Sequence, residues 1–219
     1  MPKSKPSDDA NDTRDRILRA ASDLFAATGF KGTTLREITE RAGANLAAVN
    51  YYFRSKDDLI ISTIEEAVRP LVAARMKALQ ECLQLASPHS PTIEQMATAL
   101  VSPLLTFSKG ENRNRLLLLM QIRSEPEGQH NAVVVKHFNP LHELFVNSLI
   151  AVLPHISKSE IAFRYDCARG ATLQSLVELA PARTLVTMSR HERSKLETDK
   201  GRQTALVKFV SAGFQASAD

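Results

Sequence analysis

The chain has 219 residues, of which 43% are hydrophobic, and a formal net charge of +4. This suits one mid-sized domain or a small domain fused to a larger one, with enough apolar content to bury a core unaided. Cys82 and Cys167 lie far apart with no CxxC or Cys/His spacing, so the composition excludes a disulfide scaffold and a zinc centre, and both read as reduced core thiols. The N-terminal MPKSKPSDDAND lacks the apolar segment of a secretion signal, and no run approaches ~18 apolar residues. A cytoplasmic protein without a membrane partner is therefore expected. Eight glycines and long stretches rich in Leu, Ala, Glu, Arg and Lys predict an all-α fold.

Residues 1–12 are polar and without periodicity, and read as a disordered arm. In TRDRILRAASDLFAATG, Ile17, Ala21, Leu24, Phe25 and Thr28 recur at helical spacing, with Thr13 as the expected N-cap and Gly29 as the stop. TLREITERAG follows, with Thr34 and Glu37 at capping-box spacing, an apolar stripe of Leu35, Ile38 and Ala42, and Gly43 as terminator. Ser55 and Asp58 open another capping box, so only Asn45 to about Tyr52 remains for the helix between them. Three short helices thus occupy the first domain, 13–59.

A fourth helix runs from there to about residue 86, with Pro70 as a possible kink, and is long enough to link two domains. SPHSP at 87–91 ends it. Further helices are predicted over about 92–108, 112–124, 131–153, 158–179 and 202–216, with SEPEGQ as a loop and a polar segment over 182–201. Residues 60–219 read as one larger helical domain.

Between Arg14 and Lys56 stand eight basic residues (Arg14, Arg16, Arg19, Lys31, Arg36, Arg41, Arg54 and Lys56) and four acids (Asp15, Asp23, Glu37 and Glu40). The first quarter therefore carries the whole positive excess, the footprint expected of a polyanion partner. Two short helices across a Gly turn match a helix-turn-helix at about 34–53. Val49 and Phe53, at i and i+4, would hold the second helix on the others. Asn45, Leu46, Ala47, Ala48, Asn50, Tyr51 and Tyr52 would face outward. Small side chains at 47 and 48 permit close approach to base edges, Asn50 can make a bidentate contact with adenine, and the tyrosine hydroxyls can reach phosphates. A solvated basic face, or a helical module that binds a protein partner instead of DNA, is the competing reading.

Residues 13–59, TRDRILRAASDLFAATGFKGTTLREITERAGANLAAVNYYFRSKDDL, resemble the tetracycline-repressor (TetR) type transcriptional regulators, whose F…GF…T…I…AGV…YF.SK..L skeleton is nearly intact. Ala44 stands where that family usually has Val. The resemblance implies phosphate contacts from Thr34 and Lys56 at helix N-termini, with Arg36 beside them and 45–52 against the groove of double-stranded operator DNA. It also implies a homodimeric repressor and a small, largely apolar or amphipathic effector, without a cofactor.

Beyond residue 60 there is no GxSxG, HExxH, P-loop or Rossmann glycine pattern, hence no candidate catalytic residue. His137 and His142 are spaced unfavourably for a metal, and none is expected. Candidate effector-pocket walls are Phe107, Leu118, Met120, Phe138 and Phe145, with Arg123, His137 or Arg164 as anchors. Candidate dimer contacts are Ala168, Ala171, Thr172 and Ser175 on one helix and Leu206, Phe209, Val210 and Phe214 on the last.

Overall fold

The computed structural model describes residues 6–110, 112–123, 129–177 and 198–217, with side chains from residue 11 onward except at 129 and 176–177. These form nine helices: α1 (Pro6–Gly32), α2 (Leu35–Ala42), α3 (Leu46–Phe53), α4 (Lys56–Ala86), α5 (Ile93–Phe107), α6 (Asn112–Arg123), α7 (Gln129–Val152), α8 (Lys158–Val177) and α9 (Asp199–Gln215). No strand occurs among the described residues, as an all-α reading requires.

Most helix ends follow from local chemistry. Gly29 interrupts α1 with φ 75°, and Gly43 closes α2 in the left-handed conformation at φ 59°, where a Cβ would be strained. The start of α1 departs from expectation. The helix begins at Pro6, within the stretch read as a disordered arm, so Thr13 is an interior residue that accepts from Arg16 Nη2 at 3.2 Å instead of capping. Residues 1–5, the SEPEG part of the expected loop and 178–197 lie outside the described residues. The last helix starts three residues earlier than predicted, because the Thr198 side chain accepts from Gly201 N–H and caps it.

The chain forms two compact units. The first runs to Pro70 and also takes in 111–137, and the second comprises 71–110 and the chain from Phe138 on. This differs from a division at residue 59: α6 lies against α1, with Gln121 Nε2 donating to the Ala26 carbonyl at 3.1 Å and Asn114 Nδ2 to Asp23 at 2.8 Å. In the first unit Ile17, Ala21 and Phe25 of α1 are sealed from solvent, as are Ile38, Val49, Phe53, Leu59 and Ile64. The second unit is built around Leu79, Met96, Leu100, Leu141, Phe145, Tyr165, Val210 and Phe214. Cys82 is half-buried and Cys167 is exposed, so the expectation of two core thiols fails at Cys167.

Candidate nucleic-acid interface

α2 begins with a complete capping box. Glu37 N–H donates to Thr34 Oγ1 at 3.2 Å, and Thr34 N–H donates to Glu37 Oε2 at 2.7 Å. The Thr34 hydroxyl also donates to that carboxylate at 2.8 Å. These bonds, the backbone N–H first and the hydroxyl second, hold the Glu37 carboxyl below the usual glutamate range, and the positive charge of Lys56 acts in the same direction. Lys56 is half-buried at the first position of α4, whose start is secured by Asp58 N–H donating to Ser55 Oγ at 3.0 Å.

Eight residues give α3 too little surface to fold alone, so tertiary contacts hold it. Val49 and Phe53, 1% and 2% exposed, face the core as their spacing predicts. The Arg14 guanidinium lies 5.6 Å from the Phe53 ring centroid and joins α1 to the end of α3. The opposite face is open. Leu46, Ala47, Asn50 and Tyr51 are exposed, Tyr51 to 80%, while Ala48 and Tyr52 are half-buried. The rings of Tyr51 and Tyr52 meet edge to face, 5.0 Å apart at 81°.

Two predicted contacts have structural duties. Asn45 Oδ1 accepts from Ala48 N–H at 2.8 Å as the N-cap of α3, and the Thr34 hydroxyl is engaged by Glu37. Arg36, exposed, pairs with Glu40 at 3.0 Å one turn along α2. Asn50 and Tyr51 are thus the polar side chains most openly presented by α3.

The effector-pocket candidates are divided between the units. Leu118 is buried in the first, Met120 half-buried and Arg123 exposed, and His137 Nε2 lies 3.6 Å from Glu65 Oε1. Phe107, Phe138 and Phe145 are buried in the second. Arg164 is no free anchor. Its guanidinium closes the end of α9 by donating to the carbonyls of Phe214 (3.0 Å), Ala216 (2.7 Å) and Ser217 (3.4 Å), and its Nε donates to Glu160 at 2.8 Å.

The dimer-contact candidates need a similar correction. Ala168, Thr172, Val210 and Phe214 are buried within the single chain, with Thr172 and Phe214 at 0% and 1% exposure, and so offer almost no surface to a second copy. Ala171 and Leu206 are half-buried, and Ser175 and Phe209 are exposed. Sequence reasoning missed Phe163 on α8, 65% exposed and comparable to Phe209 at 64%. It also missed Arg75, although an arginine between Leu71 and Leu79 in the apolar stripe of α4 was a visible signal. Among the described residues no group of three His, Cys, Asp or Glu side chains could hold a metal, and no helix is long and apolar enough to cross a membrane.

A capped helix, a left-handed glycine turn and a short helix pinned by two buried side chains with its other face open define a helix-turn-helix regulator of transcription. Residues 17–63 match the tetR family of bacterial regulatory proteins, and residues 98–213, more than half of the chain, match a tetracyclin repressor-like C-terminal domain. The chain belongs to the tetR family. The HTH-type transcriptional repressor NicS of Pseudomonas putida is 36% identical over 88 residues, a match that spans 40% of this chain and 40% of NicS. In fold the chain is similar to a TetR-like transcriptional regulator from Rhodococcus sp. RHA1, at TM-score 0.65 and 20% identity over 94% of this chain and 97% of that one. It is also similar to the Bacillus subtilis transcriptional regulator FadR in complex with stearoyl-CoA, at TM-score 0.61 and 12% identity over 91% and 98% of the two chains.

Proposed function

We propose that this regulator is a repressor that binds an inverted-repeat operator as a homodimer in the cytoplasm and is released from it by a small molecule with a largely apolar body. The observation that carries the DNA contact is the open face of α3, where Asn50 and the 80% exposed Tyr51 stand on a helix whose opposite side chains are locked in the core. One such helix reads too few base pairs for useful discrimination, which favours a two-fold assembly and a symmetric site. The naming of NicS as a repressor supports the same sign of regulation.

The dimer contact is assigned to the outer faces of α8 and α9. Phe163, Cys167 and Gln174 are exposed on α8, and Ala205, Phe209, Ala212 and Gly213 on α9. A Cβ added at Gly170 or Gly213 would meet nothing, leaving room for a partner helix to approach. The effector is assigned to the second unit, with Phe138 and Phe145 among its walls, and the stearoyl-CoA complex of FadR supports an apolar-bodied ligand. α4 starts next to α3 and continues past Pro70 into the second unit, so it is the covalent route by which ligand occupancy would bias the DNA-reading end.

Selection of bound duplexes from a random pool by the purified protein tests this reading. An inverted repeat is expected, together with a log-affinity that falls steeply and linearly with log salt. Non-symmetric selected sites bound by a monomer, or no duplex binding at low salt, would refute it.

A further inference from the structure

Among the described residues, the interior of the second unit contains a cation without an anion. Leu71, Arg75 and Leu79 form one buried stripe of α4, at 2%, 4% and 0% exposure. Arg75 Nη2 makes one long contact to the Tyr165 hydroxyl, 3.4 Å, and its buried Nε has no hydrogen-bond partner. No carboxylate among the described residues pairs with it. An aromatic cluster lies beside it. The guanidinium lies 5.9 Å from the Phe138 centroid, and the rings continue from Phe138 to His142 (5.5 Å), Tyr165 (5.6 Å) and Phe145 (4.9 Å).

A guanidinium does not lose its proton in a protein, so this site holds a full charge removed from water. Burial disfavours that charge, the Tyr165 phenol offsets part of the effect, and the like charge of Arg169 adds to it. Arg169 is itself compensated, by Asp166 at 2.6 Å, and also contacts His142 Nε2 at 3.1 Å. Among the described residues one positive charge therefore remains unbalanced. A hydrocarbon side chain in the same place would serve stability as well or better, because a buried unpaired charge is costly. An arginine at such a position is accounted for by a ligand that supplies the missing anion.

We infer that Arg75 anchors the carboxylate of a small monoanionic organic acid whose apolar body lies against Phe138, Phe145 and Tyr165. A single unbalanced charge matches a monoanion better than a phosphate dianion, and the planar fork matches a carboxylate. This deepens the effector reading above and rests on it.

The test uses full-length protein, Arg75→Met and Arg75→Lys, with decanoate and 3-phenylpropanoate as probes and decan-1-ol and 3-phenylpropan-1-ol as neutral counterparts. Without ligand, Arg75→Met should unfold at the same or a higher temperature than the parent. At least one carboxylate should raise the parent's melting temperature and bind it roughly 10- to 100-fold more tightly than Arg75→Met, a range set by charge-assisted hydrogen bonding. Arg75→Lys should fold normally and lie between them. A melting temperature several degrees lower for Arg75→Met would make Arg75 a structural residue and overturn the inference. So would equal carboxylate binding by parent and variants, or carboxylates that bind neither. Operator release separates the two readings: if the alcohols bind and release DNA while the carboxylates do not, the effector reading stands and the anchor falls. If no probe binds and the operator complex also resists cell extracts rich in small metabolites, both fall.

Discussion

Asp23 on α1 accepts a hydrogen bond from Arg41 Nη2 at 3.0 Å, which ties the first helix to the last turn of α2. Its other carboxylate oxygen accepts from Asn114 Nδ2 on α6 at 2.8 Å, in a part-buried setting. Removing Asp23 therefore breaks two tertiary bonds and removing Arg41 breaks one, on a side that is half exposed. Asp23→Ala should cost ~1 kcal/mol of unfolding free energy and Arg41→Ala no more than about 0.5, by the usual worth of such bonds and surface pairs. Urea denaturation of the two variants checks the order. A larger loss for Arg41→Ala would contradict it.

Asn45 and Asn50 look alike in sequence and should behave oppositely. Asn45 caps α3, so Asn45→Ala should lower stability by ~1 kcal/mol, while Asn45→Ser should largely preserve it. Asn50 is exposed, so Asn50→Ala should leave stability nearly unchanged but relax discrimination by ~1–3 kcal/mol at one base pair per half-site. Thermal melts combined with binding to a set of single-base operator variants separate the two.

Lys56→Ala should weaken binding to all duplexes by a similar factor and flatten the salt dependence, as loss of one phosphate contact releases fewer counterions. A change in base preference with an unaltered salt slope would instead place Lys56 against a base.

Phe209 and Phe214 stand five residues apart on α9 with contrasting surroundings, 64% and 1% exposed. Phe209→Glu should leave a folded chain that sediments as a monomer and binds the operator weakly. Phe214→Glu should fail to fold, since it buries a carboxylate in the core. A folded Phe209→Glu dimer in sedimentation equilibrium would move the interface elsewhere.

Glu37 gives a pH signature. Its folded-state carboxyl is held below the ordinary glutamate value, so its contribution is fully present above that ordinary value and disappears as pH falls through the lowered one. Glu37→Gln can retain a capping acceptor but does not titrate. The advantage in melting temperature of the parent over Glu37→Gln should therefore shrink on acidification. An advantage that grows toward acid would reverse the assigned sign.

The helix-turn-helix was legible because its determinants are local. A capping box joins residues three positions apart, a terminating glycine acts on the turn before it, and Val49 and Phe53 share a face through helical geometry alone. The start of α1 was less so, since polar residues before Thr13 carry no apolar period. α8 shows where local pattern ceases to decide. It has one stripe of Ile161, Tyr165, Ala168 and Thr172 and another of Phe163, Cys167, Gly170 and Gln174, both compatible with burial. Only the packing of α8 within the second unit selects the first stripe as interior and leaves Phe163 exposed. The same holds for Arg164, an apparent ligand anchor until the end of α9 is brought to its guanidinium from 50 residues away in the chain. Arg75 is the sharpest case, for spacing marks it as an odd member of an apolar stripe, whereas the absence of a counter-ion among the described residues is a property of three-dimensional neighbours. Sequence determined most of the helices and the helix-turn-helix, because those depend on residues a turn apart; tertiary structure decided which faces are buried and which described charges lack partners, because those depend on helices distant in the chain.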